Sequence, residues 1–112
     1  MTVFLVETYV IKPEKQAEFS AYKKKWKKFF AYKEGHLETF KEVKSYKMFS
    51  QMLGGNWGGF VEIWEFENLT DLDKFLNKIM KSEYMTKLAP EFASLEVPAT
   101  RSMNVWNSIT GF

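Results

Sequence analysis

The chain has no cysteine, so disulfides and thiolate metal sites are excluded together and a reducing compartment, the cytoplasm, is the default expectation. Histidine occurs once, at His36; a metal site there would need at least two more converging ligands, and no carboxylate spacing supplies them. No metal and no cofactor is expected. Arginine is as scarce, with only Arg101 among sixteen basic residues, and glutamine stands only at positions 16 and 51. That lysine- and glutamate-rich bias fits a thermophile. Nowhere do eighteen apolar residues follow one another, and no basic segment leads into an apolar run at the N-terminus. Neither membrane spanning nor secretion is expected.

What the chain has in excess is aromatic rings. Eleven Phe, four Trp and five Tyr in 112 residues are more than one small core hides easily, so a ligand or a second molecule should cover some of them. The length is that of a single domain, residues 1–112. Its organising stretch is Lys44 to Glu67. Tyr46, Met48 and Phe49 precede the run Gly54-Gly55-Asn56-Trp57-Gly58-Gly59, and Phe60, Val61, Ile63, Trp64 and Phe66 follow it, which is the composition of two strands joined as a β-hairpin. The glycines permit a tip with positive φ that leaves Trp57 beyond reach of a core. A phosphate-cradling loop would have to lead into a helix, and this one leads into a strand.

On either side lie strand and helix patterns. Val3 to Ile11 alternates and is β-branched, and Lys12-Pro13 ends it. From Glu14 to about Lys33, Phe19, Tyr22, Trp26, Phe29 and Phe30 recur at helical spacing, with Gly35 as the stop. The hairpin arms are expected over Leu37 to Met52, long enough for a bulge, and Phe60 to Phe66. Asn68 to Asp73 announces a second helix with Thr70 as N-cap and Leu72, Phe75, Leu76, Ile79 and Met80 as its buried stripe. An interruption is expected at Ser82, then a looser helical stretch across Pro90, and a last strand from Arg101 to Ile109.

The order β-α-β-β-α-β specifies an α+β, ferredoxin-like four-stranded antiparallel sheet with the helices on one face. The first strand puts Val3, Leu5, Glu7 and Tyr9 on one side and Phe4, Val6, Thr8 and Val10 on the other. Phe60, Glu62, Trp64 and Phe66 likewise oppose Val61 and Ile63. Both faces are apolar, yet the chain has helices for only one. A second, identical sheet is the simplest cover, so a homodimer is expected, with stacking into a higher oligomer left open.

Two segments carry a family resemblance. Glu7-Thr8-Tyr9-Val10-Ile11-Lys12-Pro13-Glu14-Lys15 and Gly59-Phe60-Val61-Glu62-Ile63-Trp64-Glu65-Phe66-Glu67-Asn68-Leu69 resemble the NIPSNAP-like branch of the dimeric α+β barrel superfamily, to which antibiotic-biosynthesis monooxygenases also belong. The resemblance implies a dimeric α+β barrel with a ligand cavity between sheet and helices. It also implies a range of activities: cofactor-free oxygenases of aromatic polyketides, haem degraders, and small-molecule cyclases or isomerases. Haem degraders of this kind use an Asn on the first strand and an axial His on the second helix. Here Glu7 takes the first position and Ser82 to Ala89 holds no His, which argues against haem.

Candidate chemistry rests on few residues. Glu7 interrupts an apolar strand: facing the helices it would have a raised pKa and serve as a base, and otherwise it is a partner for a Lys, the commoner arrangement. Glu62 carries the same two readings. His36 is a second candidate base, against the ordinary reading of a polar residue in a helix-to-strand turn. Tyr22, Trp26 and Trp64 are candidate walls of an aromatic-substrate pocket, against plain core. The lysines from Lys23 to Lys28 read as a solvated helix face, and with a net charge of +2 neither nucleic acid nor membrane is expected as a partner. Two functions remain: a cofactor-independent oxygenase or isomerase/cyclase with Glu7 or His36 as base, or a non-catalytic protein that binds a hydrophobic small molecule or only oligomerises.

Overall fold

Alternation in the first segment is realised as β1, Val3–Val10, and the structure, a computed structural model, describes residues 2–31, 39–55 and 57–109. His36 and Gly35 lie outside the described residues, as does the side chain of Phe30. Pro13 opens a single 3-10 turn, Pro13–Lys15, where its missing N–H removes no bond, and α1, Gln16–Ala31, follows directly. Phe19 and Tyr22 of α1 are almost wholly buried.

The second strand, β2, is Val43–Ser50, shorter than its composition suggested. Phe40 to Glu42 form a turn instead, in which the Phe40 carbonyl accepts from the Val43 N–H at 3.1 Å, with the Phe40 ring packed parallel to Trp64. The anticipated bulge is present between Val43 and Ser45. β3, Gly59–Phe66, completes the hairpin. At its tip Trp57 is 77% exposed, and Gly58 has φ of +84°. Any Cβ at Gly58 would come within 2.9 Å of the Ile11 carbonyl, so this position requires glycine on two counts.

α2, Leu69–Met80, begins two residues before expectation because Asn68 and not Thr70 caps it. The Asn68 side-chain oxygen accepts from the Asp71 N–H at 2.8 Å, leaving Thr70 inside the first turn. Leu72 and Phe75 are buried, whereas Met80, assigned to the stripe, is exposed. Ser82 does interrupt: its hydroxyl donates to the Ile79 carbonyl at 2.7 Å. Beyond it a π-helical turn, Tyr84–Leu88, runs into α3, Ala89–Leu95. The stretch is a true helix, since Pro90 falls in its first turn. β4 is Ser102–Asn107, so Arg101 lies just before the strand.

The strands form one antiparallel sheet in the order β2-β3-β1-β4, the ferredoxin-like arrangement. Register puts Val3, Leu5, Tyr9, Trp64 and Phe66 into cores shared with the helices. Their neighbours Phe4, Val6, Val10, Val61 and Ile63 stay half-exposed in the single chain, and Trp106 on β4 is 60% exposed. No described helix is long and apolar enough to cross a membrane.

Candidate functional site

Glu7 lies on the helix side of β1, directly opposite Glu62 of β3 and beside Met103 of β4. Alternation groups it with Leu5 and Tyr9, two residues to either side, and both of these are buried under the helices. Around it is a polar cluster inside an aromatic interior. The Trp64 indole N–H donates to one Glu7 oxygen at 3.0 Å, and an Arg101 Nη1 donates to the other at 3.2 Å. Arg101 is in turn gripped by Glu96, at 2.9 Å through Nε and 3.0 Å through Nη2. Its guanidinium also lies over the rings of Tyr9 and Phe92, 4.5 and 4.6 Å from their centroids. Glu62 accepts a hydroxyl on each oxygen, from Tyr9 and from Tyr46, both at 2.6 Å.

Burial dominates the electrostatics. It pushes the Glu7 carboxyl up to about 7, assisted by the charge of Glu62 and opposed by Arg101 and the Trp64 N–H. Glu62 is raised by burial too, against the two tyrosine hydroxyls and Arg101. Burial and the Glu62 charge lift Tyr9 and Tyr46 far above the ordinary phenol range, and burial lifts Tyr84 to about 12.

This cluster forms the polar wall of a cavity of about 590 Å³ between the sheet and α2, the π-helical turn and α3. Trp26, Phe40, Trp64 and Phe75 supply aromatic surface, and Ala89 and Ala93 leave the space open. The volume falls within the range of small-molecule sites, and a mostly apolar lining with a few convergent polar groups is what such sites present.

Of the residues singled out from sequence, Glu7, Glu62, Trp26 and Trp64 meet at this cavity. Tyr22 is buried away from its lining, against Phe19 and Phe92, its hydroxyl beside that of Tyr84 without an aligned hydrogen bond. His36 lies outside the described residues. Sequence reasoning passed over Glu96, Arg101, Tyr9 and Tyr46. The one signal available was Arg101 itself, a lone arginine in a chain that otherwise uses lysine, and arginine is the cation suited to bidentate, partly buried pairing. Among the described residues no three His, Cys, Asp or Glu side chains are arranged to hold a metal.

No family model matches the sequence, and no curated protein matches it. Solved structures do match. A NIPSNAP family protein of unknown function from Agrobacterium tumefaciens is 15% identical, with a TM-score of 0.68 over 94% of this chain and 86% of that one. A cofactor-independent oxygenase from Streptomyces nogalater is 15% identical, with a TM-score of 0.65 over 98% and 95%. A conserved protein from Methanosarcina mazei Go1 is 16% identical, with a TM-score of 0.68 over 97% and 94%. The fold is that of NIPSNAP and antibiotic-biosynthesis-monooxygenase structures. At these identities the likeness establishes the NIPSNAP-like fold alone, and function has to be argued from the cavity.

Proposed function

We propose that the protein holds an aromatic or polyketide-like small molecule in the cavity and acts on it without a cofactor, with Glu7 as the base. One observation carries this reading: a buried carboxyl titrating near 7 stands at the wall of a largely apolar cavity of about 590 Å³. Above that pH Glu7 is a carboxylate with a lone pair to spare on each oxygen, because each accepts one described donor. It removes a proton from a phenol or from a carbon next to a carbonyl, while Trp26 and Trp64 supply flat apolar surface for the rings. An oxygenase then lets the electron-rich ring carbon react with dioxygen, converting ring C–H and O–H to a quinone with release of one water. A cyclase lets the enolate carbon attack a carbonyl of the same molecule, again with loss of water.

Dioxygen uptake with polycyclic phenols, and ring closure of poly-β-carbonyl chains, are the assays. Turnover by the unmodified protein that disappears in Glu7→Gln supports the reading, and full turnover by that variant removes Glu7 from it. One feature favours the second reading, a non-catalytic carrier of a hydrophobic molecule: Glu7 is already engaged by Trp64 and Arg101, as a purely structural ion pair would be. Native mass spectrometry of protein from its own cells would find that molecule intact and unchanged. The half-exposed apolar sheet face supports a homodimer as the assembly in both readings. Sedimentation equilibrium at micromolar concentration should return twice 13.2 kDa, and a monomer would remove the dimer.

A further inference from the structure

Glu7 and Glu62 occupy facing positions on antiparallel neighbours and point to the same side of the sheet. Cβ atoms of such pairs stand roughly 4.5–5.5 Å apart. Two carboxyls that close in a dry interior do not both ionise easily, and their surroundings decide which one does so first. Those surroundings differ. Glu62 receives a phenol O–H on each oxygen at 2.6 Å, the length of a charge-assisted bond, and neither phenol can lose its proton at ordinary pH. Glu7 receives two N–H donors at the longer distances of 3.0 and 3.2 Å, and the guanidinium that supplies one of them is committed through two other nitrogens to Glu96. Both carboxyls are raised by burial, so it is the donors and not the burial that separate them.

We infer that Tyr9, Glu62 and Tyr46 form a positioning unit for Glu7, in which the two phenols hold Glu62 as a fixed anion and that anion keeps the pair's shared proton on Glu7, the carboxyl with the longer and weaker donors. In this role the unit exchanges no proton with the ligand; it determines when the base is free to act. Every charged or titratable group at the cavity wall is consistent with this division. Glu62 from β3 is the largest influence after burial that raises Glu7, and Glu96 adds to it; Arg101 and the Trp64 N–H oppose both. Tyr84 on the π-helical turn stays neutral, and Lys12 at the cavity mouth donates to the Ser94 carbonyl. The inference deepens the proposed function and rests on that reading only for its catalytic consequence.

The test is a carbon-13 NMR titration of the glutamate side-chain carboxyls in the full chain without ligand, with Glu7→Gln used to assign the Glu7 signal. In the unmodified protein the Glu7 signal should turn over near pH 7. Glu62→Gln should lower that midpoint by about one unit or more, a tenfold change in proton affinity. Tyr46→Phe keeps the ring and removes one donor, so it should raise the Glu62 midpoint and lower that of Glu7. An unmoved Glu7 midpoint in both variants overturns the inference, and should Glu62→Gln fail to fold, Tyr46→Phe decides alone. If the midpoints move as stated but no turnover is found with any substrate class, the positioning unit stands and only the use of Glu7 as a catalyst falls. A wild-type Glu7 midpoint in the ordinary carboxylate range overturns the inference and removes the base from the proposed function as well.

Discussion

The interior has two regions built on the same face of the same strand, and they are packed in opposite ways. Tyr9 sits under α1 and α3, where Phe19, Phe60 and Phe92 surround it with centroid distances of 6.3, 5.9 and 5.0 Å. Glu7, two residues earlier, sits where α3 presents Ala89 and Ala93, and there the space stays open. The large rings of the first region do what burial of aromatics always does, and stabilise the fold. The second region forgoes that contact and buries a carboxyl whose ionisation the dry interior opposes. On the proposed reading, stability is concentrated in the filled region and reactivity in the open one, and changes to each should separate the two properties.

The widest separation is expected at Glu7. Glu7→Gln should cut turnover by about two to four orders of magnitude, the usual share of a general base, while binding of an uncharged aromatic ligand changes little. Equal loss of binding and turnover would mean that the two regions are not divided in this way. The matching change on the filled side is Phe19→Ala, which should cost about 3–5 kcal/mol in urea unfolding, because the ring is almost wholly buried among other rings. Met85→Ala, at the cavity wall and only half-buried, should cost about 1 kcal/mol or less, since the space it faces is already empty. Similar costs for the two would erase the comparison.

The pH dependence of stability is a narrower test. The folded-state pKa of Glu7 is raised from 4.5 to about 7, so the folded protein binds this proton more tightly than the unfolded chain does. Its contribution is fully present below pH 4.5 and is lost as pH rises through about 7. Glutamine resembles the protonated form at every pH. Glu7→Gln should therefore be as stable as the unmodified protein near pH 4.5 and more stable near pH 8, by on the order of 3 kcal/mol at most. The opposing pull of Arg101 and Trp64 is already contained in that shift. A variant less stable at pH 8 would show that the ion pair with Arg101 outweighs the burial of the charge.

How much of this was legible in the sequence follows the same division. Periodicity located the strands and helices and grouped Glu7 with Val3, Leu5 and Tyr9, because a period of two leaves no choice of companions; with both faces of the sheet apolar it did not say which of them the helices cover. It did not distinguish Asn68 from Thr70 as the cap, since both residue types suit that position and only the closing hydrogen bond decides. Nor did it exclude Thr39 to Glu42 from the strand, because the turn at Phe40 is held by a ring that meets Trp64 from a distant part of the chain. The cluster around Glu7 was half visible. Glu62 stood out from sequence as Glu7 did, but their pairing depends on the β1–β3 register, and Arg101 and Glu96 arrive from the far end of the chain, where no local pattern announces a contact over that separation.

Tyr22 supplies the smallest effect and the finest test of the boundary between the regions. Helical spacing makes it equally a core residue and a pocket residue, and the structure puts its ring on Phe19 and Phe92, outside the cavity lining. Its hydroxyl is buried beside that of Tyr84 without an aligned bond, so removing it takes away a desolvated polar group and little else. Tyr22→Phe should change stability by no more than about 1 kcal/mol, in the stabilising direction, and should leave ligand affinity where it was. A stability change with constant affinity, read by urea unfolding and by titration calorimetry with an aromatic ligand, places Tyr22 in the filled region. A fall in affinity at constant stability would instead extend the cavity under α1 and return Tyr22 to the ligand.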